Sequence, residues 1–336
     1  MAVKAGALRF NTDSNKLELY DGNQWTQIVA TSPEAQTGGT RGLFAGNNPQ
    51  PAEGSGNTIE FITISTTGNT TNFGERIGKG KRQIAAMSDR TRAVFAGSYS
   101  PMGNTIDYVT IASTGNAQDF GDTLSGGTND VLTEATGLSN STRGIMAGGR
   151  NPSQIDVISY ITIQSTGNAI DFGNLLEVKR NCASFQSSTR GVVAGGRDGP
   201  GTSLKDIEYF TFSTQGNTAD FGDLSTAGGQ SNMGGGNSVR GLVAGAVPAT
   251  TNAIEYVTIS TLGNSIDFGD NTATEDGMNT MACSPTRACM FGAAVPARTL
   301  SYVQIMTTGN AIDFGDFSVD ATTSYSSGCS NGHGGL

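Results

Sequence analysis

The stretch Ile106-Asp107-Tyr108-Val109-Thr110-Ile111-Ala112-Ser113-Thr114-Gly115-Asn116-Ala117-Gln118-Asp119-Phe120-Gly121-Asp122 recurs six times along the chain, and residues 254–270 form another clear copy. The turn glycine falls at Gly68, Gly115, Gly167, Gly216, Gly263 and Gly309, and the closing Phe-Gly begins at Phe73, Phe120, Phe172, Phe221, Phe268 and Phe314. A second string, Thr-Arg-Gly-Val-Phe-Ala-Gly in type, precedes each copy and carries Arg41, Arg92, Arg143, Arg190, Arg240 and Arg287. The period is close to 48 residues.

Each period reads as four strands. A run of small residues comes first (83–88, 181–187), then an apolar run ending in glycine (Val94-Phe95-Ala96-Gly97, Val192-Val193-Ala194-Gly195). A β-branched run follows (108–113), then a short segment ending in Phe-Gly. Thr-Gly-Asn between the third and fourth strands supplies residues tolerant of positive φ, as a tight hairpin needs. The second and third strands are apolar at both parities, the pattern of strands buried on both faces. Four strands in such a period, packed between neighbours, predict an all-β propeller of four-stranded blades. A stacked solenoid is the alternative, but its coils are usually about half this length.

Composition agrees. Glycine supplies 48 of 336 residues, aromatics 7% and charged residues 15%, with one histidine, His333. That much glycine opposes helices, where each costs about 1 kcal/mol relative to alanine. The charge is acidic, 29 Asp+Glu against 20 Lys+Arg, net −9, so a nucleic-acid partner is not expected. The short basic run Lys79-Gly80-Lys81-Arg82 reads as a solvated loop. Cys182, Cys283, Cys289 and Cys329 have no CxxC spacing and fall in strand segments, as small apolar residues do; disulfides are possible but not required. No run of about 18 apolar residues exists, so membrane insertion is not expected, and the first residues lack the apolar core of a signal peptide.

The chain ends predict how the ring closes. Residues 327–335 align with 281–289 and read as a seventh first strand. The amino terminus reads as strands at 7–10, 16–20 and 24–28. Joined to the carboxyl-terminal strand, these would complete one mixed blade and give seven blades. In the alternative, six blades close and residues 1–30 form a separate arm, anchoring the chain in a virion, ahead of a propeller over 31–336.

Ala147-Gly148-Gly149 and Ala194-Gly195-Gly196 before a hairpin resemble the kelch blade, although Trp25 lies outside the repeats and the full kelch signature is absent. The repeat is more similar to kelch-like structural proteins of tailed bacteriophages of the marine and cyanophage type. The segments 8–12 and 20–25 also look like a short element common in phage fibre and tail proteins. The resemblance covers nearly the whole chain and implies a virion component. It carries over no catalytic residues.

Asp-Phe-Gly resembles a kinase motif, but it recurs with the period and has no companion motifs, so it reads as a blade feature. One arginine per blade is expected to pair with a repeat-periodic acid, either Glu60, Asp107, Glu208 and Glu255 or the aspartates preceding Phe-Gly, and so join strands or blades. The oxygen-rich turns at 11–15 and 274–277 could hold Ca²⁺ but match no full EF-hand loop, and zinc lacks ligands; no cofactor is expected. His333, among glycines at the chain end, looks too loosely placed for a Ser-His-Asp triad.

The segments that break the repeat are loops between second and third strands, at 47–57, 99–104, 197–205 and 248–252. Asn48, Tyr99, Arg197, Asp198 and Pro248 mark them as candidate partner-binding residues, because variable loops on a rigid scaffold carry recognition. The expected function is a non-enzymatic virion structural protein, a tail- or fibre-associated attachment or decoration module. It would be present in multiple copies or as a homo-oligomer and bind another virion protein or a host-surface glycan. The alternative is a carbohydrate-active enzyme on a propeller scaffold.

Overall fold

The structure is a computed structural model that describes residues 3–11, 16–27, 40–46, 48–49, 57–78, 83–99, 102–124, 131–225, 233–245, 251–272, 280–291, 299–318, 321–323 and 326–336. The chain divides into two compact units, Met1–Gly38 and Gly39–Leu336.

The larger unit is a β-propeller. Among the described residues, six antiparallel sheets have four strands each. Blade 4 shows the plan: inner strand Ala183–Gln186, second strand Arg190–Ala194, third strand Asp206–Thr211 and outer strand Ala219–Asp223, each paired with the next. Blades 2, 3, 5 and 6 repeat it from Ala85, Thr136, Met233 and Thr280. Blade 1 contains Arg41–Ala45, Thr58–Thr63 and Thr71–Glu75, and its inner strand is Ser327–Ser330 from the other end of the chain.

The expected seventh, mixed blade is therefore corrected to a six-bladed ring, the alternative weighed from the sequence. The carboxyl-terminal strand pairs Cys329 with Leu43 and Gly328 with Phe44, not with any amino-terminal strand. Its small residues suit that place: a Cβ on Gly328 would come within 3.0 Å of the Phe44 ring and of Thr280. The inner strands then lie side by side in a closed circuit of six, with Ser327–Ser330 between those of blades 6 and 2. No sheet edge is left at the joint, which removes a site of edge-to-edge aggregation.

The core lies between blades. Met87, Val94 and Phe120 of blade 2 pack with Met146, Ile161 and Ile163 of blade 3. Equivalent clusters fill the other five interfaces, including Phe44, Ile62 and Ile64 of blade 1 against Phe291, Leu300 and Phe317 of blade 6. At roughly 25 cal/mol per Å² of apolar surface, this burial is the main force holding one blade to the next.

One local device repeats six times. In blade 2 the register between third and outer strands passes from Ile106↔Gly121 to Asp107↔Asp119, so Phe120 is the extra residue of a β-bulge. The bulge turns the Phe120 ring into the core, edge-on to Tyr108 at 5.9 Å. It also frees the Phe120 carbonyl, which accepts the Gly167 N–H of blade 3 at 2.7 Å. The same bond joins Gly115 to Phe73, Gly216 to Phe172, Gly263 to Phe221, Gly309 to Phe268 and, closing the ring, Gly68 to Phe314. Thr-Gly-Asn is thus a clasp between blades as well as a turn: Asn168 Oδ1 accepts the Asp122 N–H at 3.0 Å, with counterparts at every blade boundary.

The amino-terminal unit contains a three-stranded meander, Leu8–Asn11, Lys16–Tyr20 and Trp25–Gln27. Arg9 pairs with Glu18 at 2.8 Å and lies over the Trp25 ring at 4.2 Å on one face. Leu8, Phe10, Leu17 and Leu19 share the other face through the pairs Leu8↔Leu19 and Phe10↔Leu17.

Candidate functional site

The two ends of the ring differ in kind. One carries the turns between inner and second strands and between third and outer strands, and its repeated side chains are consumed by the clasps. The repeated arginines belong to this end. Arg190 lies over the Tyr209 ring of its own blade at 4.4 Å and donates through Nη1 to the Ile259 carbonyl of blade 5 at 2.7 Å. Arg41, Arg92, Arg143, Arg240 and Arg287 act alike, and Arg287 closes the circuit on Ile64 of blade 1.

The expected arginine–carboxylate pairs are corrected here. These arginines do join neighbouring blades, but their acceptors are main-chain carbonyls. The acids opening the third strand are buried and bound from elsewhere. Asp107 receives Arg76 Nε at 2.9 Å and the Ile77 N–H at 3.0 Å, both from the segment leaving blade 1. Glu208 receives Lys179, Thr218 and the Leu176 N–H. Glu255 receives Ser225 and Ser265, and Glu60 receives Thr70 and Ser318. Burial alone would push the Lys179 ammonium down, but Cys182, Glu208 and Asp206 around it hold it above the usual lysine range. The aspartates before Phe-Gly are exposed at the outer edge of the blades.

The axis is nearly filled. A cavity of about 40 Å³ lies between the inner strands, lined by residues including Ser88, Ser139, Gln186, Gly235, Ser330 and His333. That is room for a few waters and not for a sugar ring. His333 is not loose, contrary to expectation: residues 330–336 fold over the axis and bury it. Its Nδ1 accepts from Gln186 Nε2 at 2.8 Å and from the Gly335 N–H at 3.1 Å. Its Nε2 therefore carries the proton and donates to the Ser88 carbonyl at 2.8 Å. Ser139 Oγ lies 3.3 Å from that same Nε2, but a protonated nitrogen cannot accept its hydrogen as a general base would. Burial holds the imidazole down at about 4.

The four cysteines are free and buried, and burial pushes the thiols of Cys182, Cys283 and Cys329 up to about 12. Among the described residues no cluster of three His, Cys, Asp or Glu could hold a metal ion. Residues 12–15 of the first calcium candidate and all of the second, 274–277, lie outside the described residues, as does the basic run 79–82.

The other end bears the irregular loops, where connections from second to third strand meet those from an outer strand to the next inner one. Asn48, in the strand Asn48–Pro49, pairs with Thr323 of Ala321–Thr323. Tyr99 ends the second strand of blade 2 opposite Met102. Arg197 exchanges both main-chain hydrogen bonds with Arg180 at 3.0 Å each. Asp198 closes its own turn, its Oδ1 accepting the Thr202 N–H at 2.6 Å. Pro248 lies outside the described residues. The candidates thus share one rim but belong to blades 1, 2 and 4, and they form no single constellation.

Sequence reading missed Glu134, Arg150 and Arg180: Arg180 pairs with Arg197 through the main chain, and Glu134 receives both Arg180 and Arg150. Glu134 and Arg180 lie on connections entering inner strands, and Arg150 lies in the hairpin between the second and third strands of blade 3. Gln83, Glu134 and Asn181 stand at equivalent places with φ of 55°, 59° and 56°, and the Asn181 N–H donates to the Glu134 carbonyl at 2.9 Å. No protein-family model matches the chain, and no curated protein matches it.

Proposed function

We propose that the protein is a structural component of a tailed-bacteriophage particle, an attachment or decoration module that binds a partner through its irregular rim. The observation that carries this reading is the contrast between the two ends. On one, six equivalent clasps occupy the repeated Arg and Asn side chains and the Gly main-chain N–H groups. On the other, blades differ from one another and loops such as 197–205 stand on a ring braced against deformation. A rigid scaffold with divergent loops is suited to recognition. The repeat's likeness to virion proteins supplies the setting, and the small axial cavity favours surface binding over enclosure of a substrate.

Immunogold electron microscopy of particles from the source virus, with antibody raised against this chain, tests the assignment. Labelling at a fixed place on the particle supports it. Particles devoid of the chain would overturn it, and so would steady release of reducing sugar from polysaccharides by the purified protein.

A further inference from the structure

We propose that Arg150, Arg180 and Arg197, on the rim of blades 3 and 4, form a receptor for the carboxylate or sulfate groups of an acidic saccharide. The inference deepens the rim-binding reading and rests on it for its setting, though its chemistry can be tested on the isolated protein.

Two guanidinium groups share one carboxylate here, and a third arginine stands across a strand pair from one of them. Arg180 Nη1 donates to Glu134 Oε2 at 2.7 Å, and Arg150 Nη1 lies 3.8 Å from Glu134 Oε1. The shared Glu134 side chain is only 3% exposed, whereas Arg150 and Arg180 are 33% and 17% exposed. Arg197 is directly opposite Arg180 in a pair that exchanges both main-chain bonds, which sets the Cα atoms about 5.5 Å apart with side chains on one face. The Arg197 guanidinium has no partner among the described residues, and its Nε is buried. The nearby acid Asp198 is committed to its own turn.

Like charges directly across a ladder destabilise it. A chain with net charge −9 nonetheless holds this arrangement, with two positive charges in excess of Glu134. A bound oxyanion would relieve that repulsion, because the planar fork of arginine matches two oxygens of a carboxylate or sulfate. The flanking loops suit a hydrated ligand. Residues 148–156 and 195–205 hold no aromatic side chain, and their exposed positions include Ser153 and Thr202. A folded protein partner would want an aromatic anchor there, and the exposed apolar side chains beside these loops, Leu176 and Val178, are aliphatic.

The test measures binding of the full chain to alginate, dextran sulfate, unmodified dextran and poly-glutamate, with sodium sulfate as a free-anion competitor. Alginate or dextran sulfate should bind in a salt-dependent way, dextran should not, and poly-glutamate should bind at least tenfold more weakly. Free sulfate should compete only at far higher concentration than the polymer-borne group. Arg197→Gln should weaken binding at least tenfold with no fall in melting temperature and a slight rise, since no intramolecular bond is lost and the repulsion with Arg180 is relieved. Arg190→Met, on the opposite end, should leave binding intact. Failure of both acidic polysaccharides to bind, equal binding by Arg197→Gln, or poly-glutamate binding as well as the saccharides would overturn the proposal. If particles carry the chain while this binding fails, the saccharide site falls and the virion role stands.

Discussion

Arg190 of blade 4 bridges two blades: its guanidinium lies over Tyr209 at 4.4 Å while Nη1 reaches the Ile259 carbonyl of blade 5 at 2.7 Å. The contact ties a side chain identified by its repetition to a main-chain atom about one and a half periods further on. It also explains why the arginine recurs without a matching acid.

Replacing Arg190 by methionine keeps much of the apolar stem and removes both contacts. A charge-assisted hydrogen bond and a cation–π contact together suggest a loss of about 2 kcal/mol. Denaturant unfolding should show a lower midpoint with an unchanged slope. An unaltered midpoint would mean that the clasp is ornamental.

Gly121 and Gly115 make a matched pair. A Cβ on Gly121, at φ +147°, would lie 2.5 Å from the Gly167 carbonyl oxygen of blade 3, whereas one on Gly115 meets nothing within 4 Å. Gly121→Ala should therefore cost roughly 3 kcal/mol or more through strain and a forced-apart blade contact, and Gly115→Ala about 1 kcal/mol or less. Equal melting temperatures for the two variants would contradict the close approach of the blades.

The buried pair Arg76–Asp107, 2.9 Å apart with both side chains fully buried, links the segment leaving blade 1 to blade 2. Arg76→Met strands the Asp107 carboxylate and should cost about 3–5 kcal/mol, while Arg76→Met with Asp107→Leu should recover much of that loss. A double-mutant cycle checks it. Additive losses would argue against a coupled pair.

His333 gives a pH dependence with a defined sign. Its folded-state value, about 4, lies below the ordinary 6.5, so the unfolded chain takes up a proton that the native chain refuses. Stability from this group is complete above pH 6.5, falls as pH drops toward 4, and changes no further below that, amounting to about 3 kcal/mol in all. Unfolding free energies at pH 7 and pH 4.5 should differ less in His333→Gln than in the parent chain. An identical pH dependence in both would place the titration elsewhere.

Much of this was legible in the residues. The Phe-Gly and Thr-Gly-Asn spacing marked the repeat, and apolar residues at both parities marked strands buried on both faces. The blade number was not, because the inner strand of the first blade is Ser327–Ser330, from about 280 residues away. Pairing partners at such separation leave no local trace. Gly121 was read as part of a closing motif, yet what excludes a side chain there is the Gly167 backbone of the next blade. The cluster of Arg150, Arg180 and Arg197 was equally hidden, since its members come from three loops and two blades.

The carboxyl-terminal strand completes the first blade and closes the ring of six. Thermal unfolding of a chain lacking residues 1–38 puts that closure to the test. The six-blade ring predicts a cooperative transition at the melting temperature of the main transition of the full chain. A sharply lowered or non-cooperative transition would show that the amino-terminal strands are part of the closure and would contradict the six-blade ring.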